Sequence, residues 1–162
     1  MIITHGDVLS TDVKIIAHQV NCKGVMGGGL AAQIKEKYPK VFLAYKEYIE
    51  DFAEIEGASP LGNCLSCWKD RSEDTEIWNI FGQDDYGRDK CYTNYFAVSE
   101  AFRDAIDQYR SCRYGDRDIQ LPIAIPCYFG CGLGGGDWSK MKEVLEKIEK
   151  DCNVIFIAYK YS

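Results

Sequence analysis

The chain has 162 residues and a net charge of -6 at pH 7, and its apolar content of 46% suffices for the core of one domain spanning residues 1–162. The acidic balance argues against a groove that holds nucleic acid by counterion release. No apolar run reaches the roughly 18 residues of a membrane span, and the N-terminal segment MIITHGDVLS lacks the features of a secretory signal. We therefore expect a cytoplasmic protein that binds neither nucleic acid nor membrane.

Short runs rich in β-branched residues alternate along the chain with segments of helical spacing. The short runs predict strands at 2–4, 14–20, 63–68, 76–81, 122–126 and 154–159. Apolar stripes predict four helices, marked by Leu30, Ala31, Ile34 and Tyr38, by Phe42, Tyr45, Ile49 and Phe52, by Phe96, Phe102, Ile106 and Tyr109, and by Met141, Val144, Leu145 and Ile148. This alternation predicts an α/β fold with helices on both faces of a sheet and a ligand beyond the carboxyl ends of the strands.

Eight cysteines raise the alternatives of a disulfide framework, a zinc site and reduced thiols. The Cys64–Cys67 pair falls within a predicted strand, where the two side chains point to opposite faces. Cys127 and Cys131 have a different spacing and lie in a glycine-rich segment. A zinc site needs four convergent ligands. We expect reduced thiols, no metal and no cofactor.

Two predicted strands run into glycine-rich turns that lead to helices, at residues 15–39 and 122–148. Glycine lets a ligand approach the backbone closely, and the free N–H groups at a helix start favour an anion. Either loop alone is also compatible with a simple tight turn. Two such loops in one small domain can hold neighbouring phosphates from both sides, which points to a diphosphate. The P-loop string G-x-x-x-x-G-K-S/T is absent.

The sequence at these loops resembles the macrodomain family. The matching segments are Gly6-Asp7-Val8, Asn21, the run Gly27 to Ala31, and the run Gly130 to Trp138. The stretch HQVNCKG…GGGLAAQIKEKYPK is most similar to the branch with the ADP-ribose 1''-phosphate phosphatases and terminal ADP-ribose glycohydrolases. The resemblance implies a three-layer α/β/α fold with a central mixed sheet, and a ligand of the ADP-ribose type.

The resemblance also implies roles for individual residues. Asp7 would accept a hydrogen bond from the adenine amino group, although an acid there could merely cap a turn. Val8 would supply backbone contacts, Asn21 would contact the distal ribose, and Tyr159 would flank adenine or pack at the rim. The diphosphate would be covered by two sets of loop residues: Gly27, Gly28, Gly29 and Leu30 on one side, and Gly130, Cys131, Gly132, Leu133 and Gly134 on the other.

Three residues are candidates for the reacting end, and each has a structural alternative. His18 either catalyses or positions, or is a hydrogen-bonded strand histidine. Asp137 acts as general base or water-orienting group, or caps the last helix. Gln83 stands where glycohydrolase-like relatives carry a nucleophilic lysine, and Gly134 where they carry an acid. Both departures weigh against a covalent route but leave a water-based reaction open.

Two functional hypotheses follow from these residues. The first is a hydrolase that acts at the distal ribose of an ADP-ribose derivative. The second is a module that binds ADP-ribose without chemistry, and an unrelated phosphate-binding α/β domain remains as a third class. The segment DDYGRDK at 84–90 is either a solvated loop or a lid over the distal ribose.

Overall fold

The computed structural model describes residues 1–113 and 115–161. Each predicted strand and helix is present, and each strand boundary lies within one residue of its prediction. In chain order, the elements are β1 (Ile2–His5), a 3-10 helix (Val8–Ser10), β2 (Ile15–Val20), α1 (Gly29–Lys37), α2 (Pro39–Ala53), β3 (Cys64–Trp68), β4 (Glu76–Phe81), α3 (Tyr95–Cys112), β5 (Leu121–Pro126), α4 (Trp138–Cys152) and β6 (Val154–Lys160).

The strands form one six-stranded sheet in the order β1-β6-β5-β2-β4-β3. β3 runs antiparallel to β4, and the other neighbouring pairs are parallel, which confirms the mixed sheet. Because β2, β4 and β5 are adjacent and parallel, their carboxyl ends meet at one edge. The loops that follow these three strands are therefore brought together there.

Alternate residues of the central strands face opposite sides of the sheet. Ala17 and its same-face neighbours pack with Phe102 of α3 and Leu145 of α4, whereas Ile16 packs with Ile34 of α1 and Val41 of α2. The sheet is thus covered on both faces, which confirms the three-layer arrangement. None of the helices in the described part of the chain is long and apolar enough to cross a membrane.

The prediction that Phe96 belongs to the apolar stripe of α3 was wrong. Phe96 is 75% exposed, while Phe102 and Ile106 are fully buried. Phe96 and Phe102 are six residues apart, so at 100° per residue they lie about 120° from each other around the helix. The buried face is completed instead by small residues such as Ala101 and Ala105.

α1 and α2 are joined without a loop. Pro39 occupies the first turn of α2, where its missing N–H costs nothing. Tyr38, which precedes the proline, leaves the helical region with ψ of 66° and so ends α1. α1 is held in this way with its N-terminus at the edge where β2 ends.

Candidate ligand-binding cleft

A cleft of about 450 Å³ opens at the carboxyl ends of β2, β4 and β5, and it continues into a hollow of about 330 Å³. The cleft is lined by loop 1 (residues 21–30), loop 2 (residues 127–136) and the segment that follows β4. The residues shared by the cleft and the hollow are Gly29, Leu30, Pro126, Cys127 and Tyr128. The site is thus elongated, with two different ends.

Loop 1 is shaped by Asn21, which lines the cleft directly after β2. Its Nδ2 donates to the carbonyl of Val25 at 2.8 Å, and its Oδ1 accepts from the N–H of Lys23 at 2.9 Å. The hydroxyl of the fully buried Tyr45 lies 2.7 Å from the Asn21 carbonyl oxygen and 2.8 Å from Oδ1. One N–H of the Asn21 amide is left for a ligand.

The end of loop 1 meets the first turn of α1. Gly28 is the N-cap residue and Gly29 begins the helix, and both line the cleft together with Gly27 and Leu30. The first N–H groups of an α-helix have no intrahelical acceptor, and the helix dipole adds partial positive charge there. This turn can therefore bind an anion through backbone groups alone.

The segment that follows β4 holds loop 2 through backbone hydrogen bonds. The N–H groups of Tyr92 and Thr93 both donate to the carbonyl of Gly134, at 2.8 Å and 3.1 Å. A Cβ placed on Gly134 would lie 2.6 Å from Thr93 Oγ1 and 2.7 Å from the Gly130 carbonyl oxygen. A side chain at this position would therefore require the backbone at Gly130 to shift.

The two loops also touch each other across the cleft. Leu133 of loop 2 is 49% exposed and lies over Gly28, in the space that a Cβ of Gly28 would occupy. Gly130, Gly132, Leu133 and Gly134 all line the cleft. A ligand segment between the loops would therefore contact backbone on both sides.

The side chain of Gln19, which was not predicted as a site residue, connects the end of β2 to the segment that follows β4. Its Nε2 donates to Gln83 Oε1 at 2.7 Å and to Thr93 Oγ1 at 2.9 Å, and Gln83 Nε2 donates to the carbonyl of Asp85 at 2.9 Å. Within the described residues, Gln19 Oε1 has no hydrogen-bond partner. A second polar residue beside His18, in a strand whose other residues are apolar, was the only sequence signal.

His18 lies on the same sheet face as Ile16 and is 2% exposed. Its Nε2 is 2.7 Å from Asn79 Oδ1, and Asn79 Nδ2 donates to the carbonyl of Leu65. Asn79 Oδ1 is thus the acceptor, which puts the imidazole proton on Nε2. Nδ1 then has a lone pair, for which the described residues offer no donor. Burial lowers the pKa of His18 to about 4, so the ring is neutral at neutral pH.

The hollow at the other end contains the predicted adenine residues. Asp7 caps the 3-10 helix by accepting from the N–H of Leu9 at 2.9 Å, and it also lines the hollow with Val8. Tyr159 lines the same hollow and its hydroxyl is 2.6 Å from Thr11 Oγ1. Asp7 can therefore cap the 3-10 helix and form part of the wall of the hollow at the same time.

Two predicted site residues do not line the cleft. The exposed Asp137 caps α4, where its Oδ1 accepts from the N–H of Lys140 at 3.2 Å. Cys131 turns away, with Sγ donating to the Phe129 carbonyl at 3.3 Å, and burial raises its pKa to about 11. Their roles with a ligand stay predictions. Nowhere in residues 1–113 and 115–161 do three His, Cys, Asp or Glu side chains converge as metal ligands would.

No family model matches this sequence. The chain is 30% identical over 158 residues to the ADP-ribose 1''-phosphate phosphatase of Saccharomyces cerevisiae, covering 86% of each protein. A 42-residue segment, 26% of this chain and 12% of the relative, is 48% identical to the DNA ADP-ribosyl glycohydrolase of Mycobacterium tuberculosis. The macrodomain of Mycobacterium tuberculosis DarG superposes with a TM-score of 0.74 at 25% identity, covering 98% of this chain and 97% of that one. This protein belongs to the macrodomain family.

Proposed function

We propose that this protein binds ADP-ribose or a derivative of it in the cleft and hydrolyses a bond at the distal ribose. The favoured substrate is ADP-ribose 1''-phosphate. The observation that carries the proposal is the pair of glycine loops that face each other across one elongated cleft with two chemically different ends. The yeast relative, which is similar over 86% of its length, is named for the hydrolysis of ADP-ribose 1''-phosphate.

The two ends give the ligand a direction. Adenine fits the hollow beside Asp7 and Tyr159, where a carboxylate can accept from its amino group. The diphosphate fits between the first turn of α1 and loop 2, where backbone N–H groups are available. The distal ribose then lies at the far end, where His18, Asn21 and Gln83 line the cleft.

Hydrolysis of the 1''-phosphate would break the bond between phosphorus and the ribose oxygen. Water supplies a hydroxyl to the phosphorus and a proton to the leaving oxygen, and the products are ADP-ribose and inorganic phosphate. The lone pair on the buried His18 Nδ1 has no donor among the described residues, and we expect it to orient this water. With its low pKa, His18 acts here as a positioning group more than as a base.

The glycohydrolase route has less support. Gln83 offers an amide in place of an amine nucleophile, and its Oε1 and Nε2 are already hydrogen bonded to Gln19 and Asp85. Gly134 leaves no space for the second acid. A covalent ribosyl adduct therefore has neither its nucleophile nor its acid at these places.

A non-catalytic ADP-ribose-binding module is the second candidate. It is favoured by a specific observation: among the described residues that line the cleft there is no carboxylate, His18 is a weak base, and Gln83 is occupied. In that case the two loops bind the ligand and nothing cleaves it.

Phosphate release from ADP-ribose 1''-phosphate separates the two candidates. The hydrolase predicts turnover that falls about 10- to 100-fold in His18→Gln, with an unchanged Kd for ADP-ribose. Asp137→Ala tests the remaining sequence prediction, and its position outside the cleft predicts turnover within twofold of wild type. Tight binding without phosphate release would contradict the hydrolase and leave the binding module.

A further inference from the structure

The cleft, as distinct from the hollow, is lined by a single ionised side chain. Among the described residues that line it, Arg88 alone carries a charge, since His18 is neutral. Arg88 does not line the hollow with Asp7 and Tyr159. The hollow has its own cation, Lys160, so Arg88 is the positive charge that the described residues offer at the end of the cleft where the distal ribose is placed.

Arg88 has no partner of its own within the described part of the chain, where it forms neither a hydrogen bond nor an ion pair. Its charged neighbours do have partners: Lys23 lies 3.5 Å from Asp84, and the Lys90 ammonium lies 5.1 Å from the centre of the Tyr92 ring. Asp89 accepts a hydrogen bond from the Tyr92 hydroxyl. The guanidinium of Arg88 is thus exposed and available to a ligand.

The segment that carries Arg88 is fixed at both ends to the walls of the cleft. On one side, the N–H of Cys22 donates to the carbonyl of Asp84 at 2.9 Å, and Gln83 Nε2 donates to the carbonyl of Asp85. On the other side, Tyr92 donates its N–H to Gly134 of loop 2. These bonds hold the segment against both loops, so Arg88 is held beside the site.

Resting on the proposed function, we infer that Arg88 binds the terminal phosphate of a substrate phosphorylated on its distal ribose. The diphosphate needs no cation, because the first turn of α1 and loop 2 supply backbone N–H groups. The guanidinium at the far end can therefore bind one further anion. A guanidinium presents paired N–H donors that fit two phosphate oxygens at once. Arg88 is in this way the residue that distinguishes a phosphorylated ADP-ribose from ADP-ribose itself.

The test compares two ligands by calorimetry: ADP-ribose, and its 1''-phosphonate analogue, in which carbon replaces the bridging oxygen and prevents turnover. Arg88→Gln should weaken binding of the phosphonate about 10- to 100-fold, the size expected for losing a hydrogen-bonded charge pair. The same variant should leave the Kd for ADP-ribose within twofold. Arg88→Lys should restore part of the phosphonate affinity, since it keeps the charge but not the paired donors.

Lys90→Gln is the matched control, because it removes one positive charge from the same segment at a residue outside the cleft lining. It should leave both Kd values within twofold. Equal weakening of both ligands by Arg88→Gln would overturn the inference by placing Arg88 at the diphosphate, and no weakening of either would make Arg88 a surface residue. Failure of wild type to bind ADP-ribose would instead refute the proposed function, and the inference with it.

Discussion

The two glycine loops have similar sequences but need their glycines for different physical reasons. In loop 1, a Cβ on Gly27 would meet only Val25 at 3.5 Å, an ordinary contact, and one on Gly29 would meet nothing. In loop 2, a Cβ on Gly134 or Gly136 would lie 2.7 Å or less from protein atoms. Loop 1 leaves Gly27 and Gly29 open toward a ligand, with only the Leu133 side chain over Gly28, whereas loop 2 packs Gly134 and Gly136 against the Gly130 backbone.

The two loops are also held in place by different hydrogen bonds. Loop 1 is held by side-chain hydrogen bonds around Asn21 and Tyr45 and leaves bare backbone at the start of α1. Loop 2 is held by backbone bonds to Tyr92 and Thr93, which pass beneath Gly134. Substitutions in loop 1 should therefore affect ligand affinity, and those at the packed glycines of loop 2 should affect stability.

The largest expected effect is at Gly134. Gly134→Asp, which introduces the acid of the glycohydrolase-like relatives, should lower the free energy of unfolding by about 4 kcal/mol through overpacking and burial of a carboxylate. Gly132→Asp is the control, because a Cβ there meets nothing within 4 Å, and it should cost less than about 0.5 kcal/mol. Urea unfolding measures both, and equal stabilities would show that loop 2 is not packed as described.

The next effect is a pH dependence at the base of loop 1. The pKa of His18 is about 4 in the folded protein against 6.5 for the free side chain. Between these values the unfolded chain binds a proton that the folded chain does not, so the free energy of unfolding falls as pH falls from 6.5 toward 4. The loss should reach roughly 3 kcal/mol.

The measurement is urea unfolding of wild type and His18→Gln from pH 7 to pH 4. The variant should lack this part of the slope. His5→Gln, which makes the same substitution at an exposed histidine, is the matched control. Parallel curves for wild type and His18→Gln would contradict a buried neutral ring.

A smaller effect is expected where loop 1 is tied to α2. Tyr45→Phe removes the hydroxyl beside Asn21 and should lower the free energy of unfolding by about 1–2 kcal/mol. The looser loop should also raise the Kd for ADP-ribose about fivefold, or ~1 kcal/mol. Tyr48→Phe changes a half-buried tyrosine of the same helix that contacts Asn63 instead. Calorimetry should give Tyr48→Phe the wild-type Kd for ADP-ribose. Identical Kd values for the two variants would show that the Tyr45 hydroxyl does not contribute to ligand binding.

The smallest effect on stability is expected at Gly27. Gly27→Ala should change the free energy of unfolding by less than about 0.5 kcal/mol, since its Cβ makes an ordinary contact. The added methyl group stands on the cleft wall, where a phosphate would approach the backbone, and should raise the Kd for ADP-ribose about tenfold. An unchanged Kd would mean that the ligand does not pass loop 1.

The fold was predictable because strand and helix periodicities are local properties of the sequence. The glycine loops were predictable for the same reason, and both line the cleft. What sequence could not give depends on register: His18 meets Asn79, 61 residues away, only because β2 pairs with β4 in one alignment. Gln19 and Thr93, 74 residues apart, meet because Thr93 pairs with Gln83 in a bridge just beyond β4.

Asp137 and Cys131 do not line the cleft, and their roles with a ligand stay predictions, because local sequence does not set side-chain direction in a glycine-rich turn. The bond from the Asp137 carboxylate to the first turn of α4 competes with any orientation toward the ligand. Phe96 is exposed because it lies about 120° around the helix from the buried Phe102. The direction of a side chain is thus harder to predict than the position of the element that carries it.

Calorimetric titration with ADP-ribose, with ADP and AMP as controls, tests the central claim most directly. If the two loops and the far end of the cleft bind one extended ligand, ADP-ribose should bind tightly and ADP, which lacks the distal ribose, should bind at least tenfold more weakly, ~1.4 kcal/mol. AMP, with a single phosphate, should bind most weakly. No binding of ADP-ribose at millimolar concentration would contradict the account.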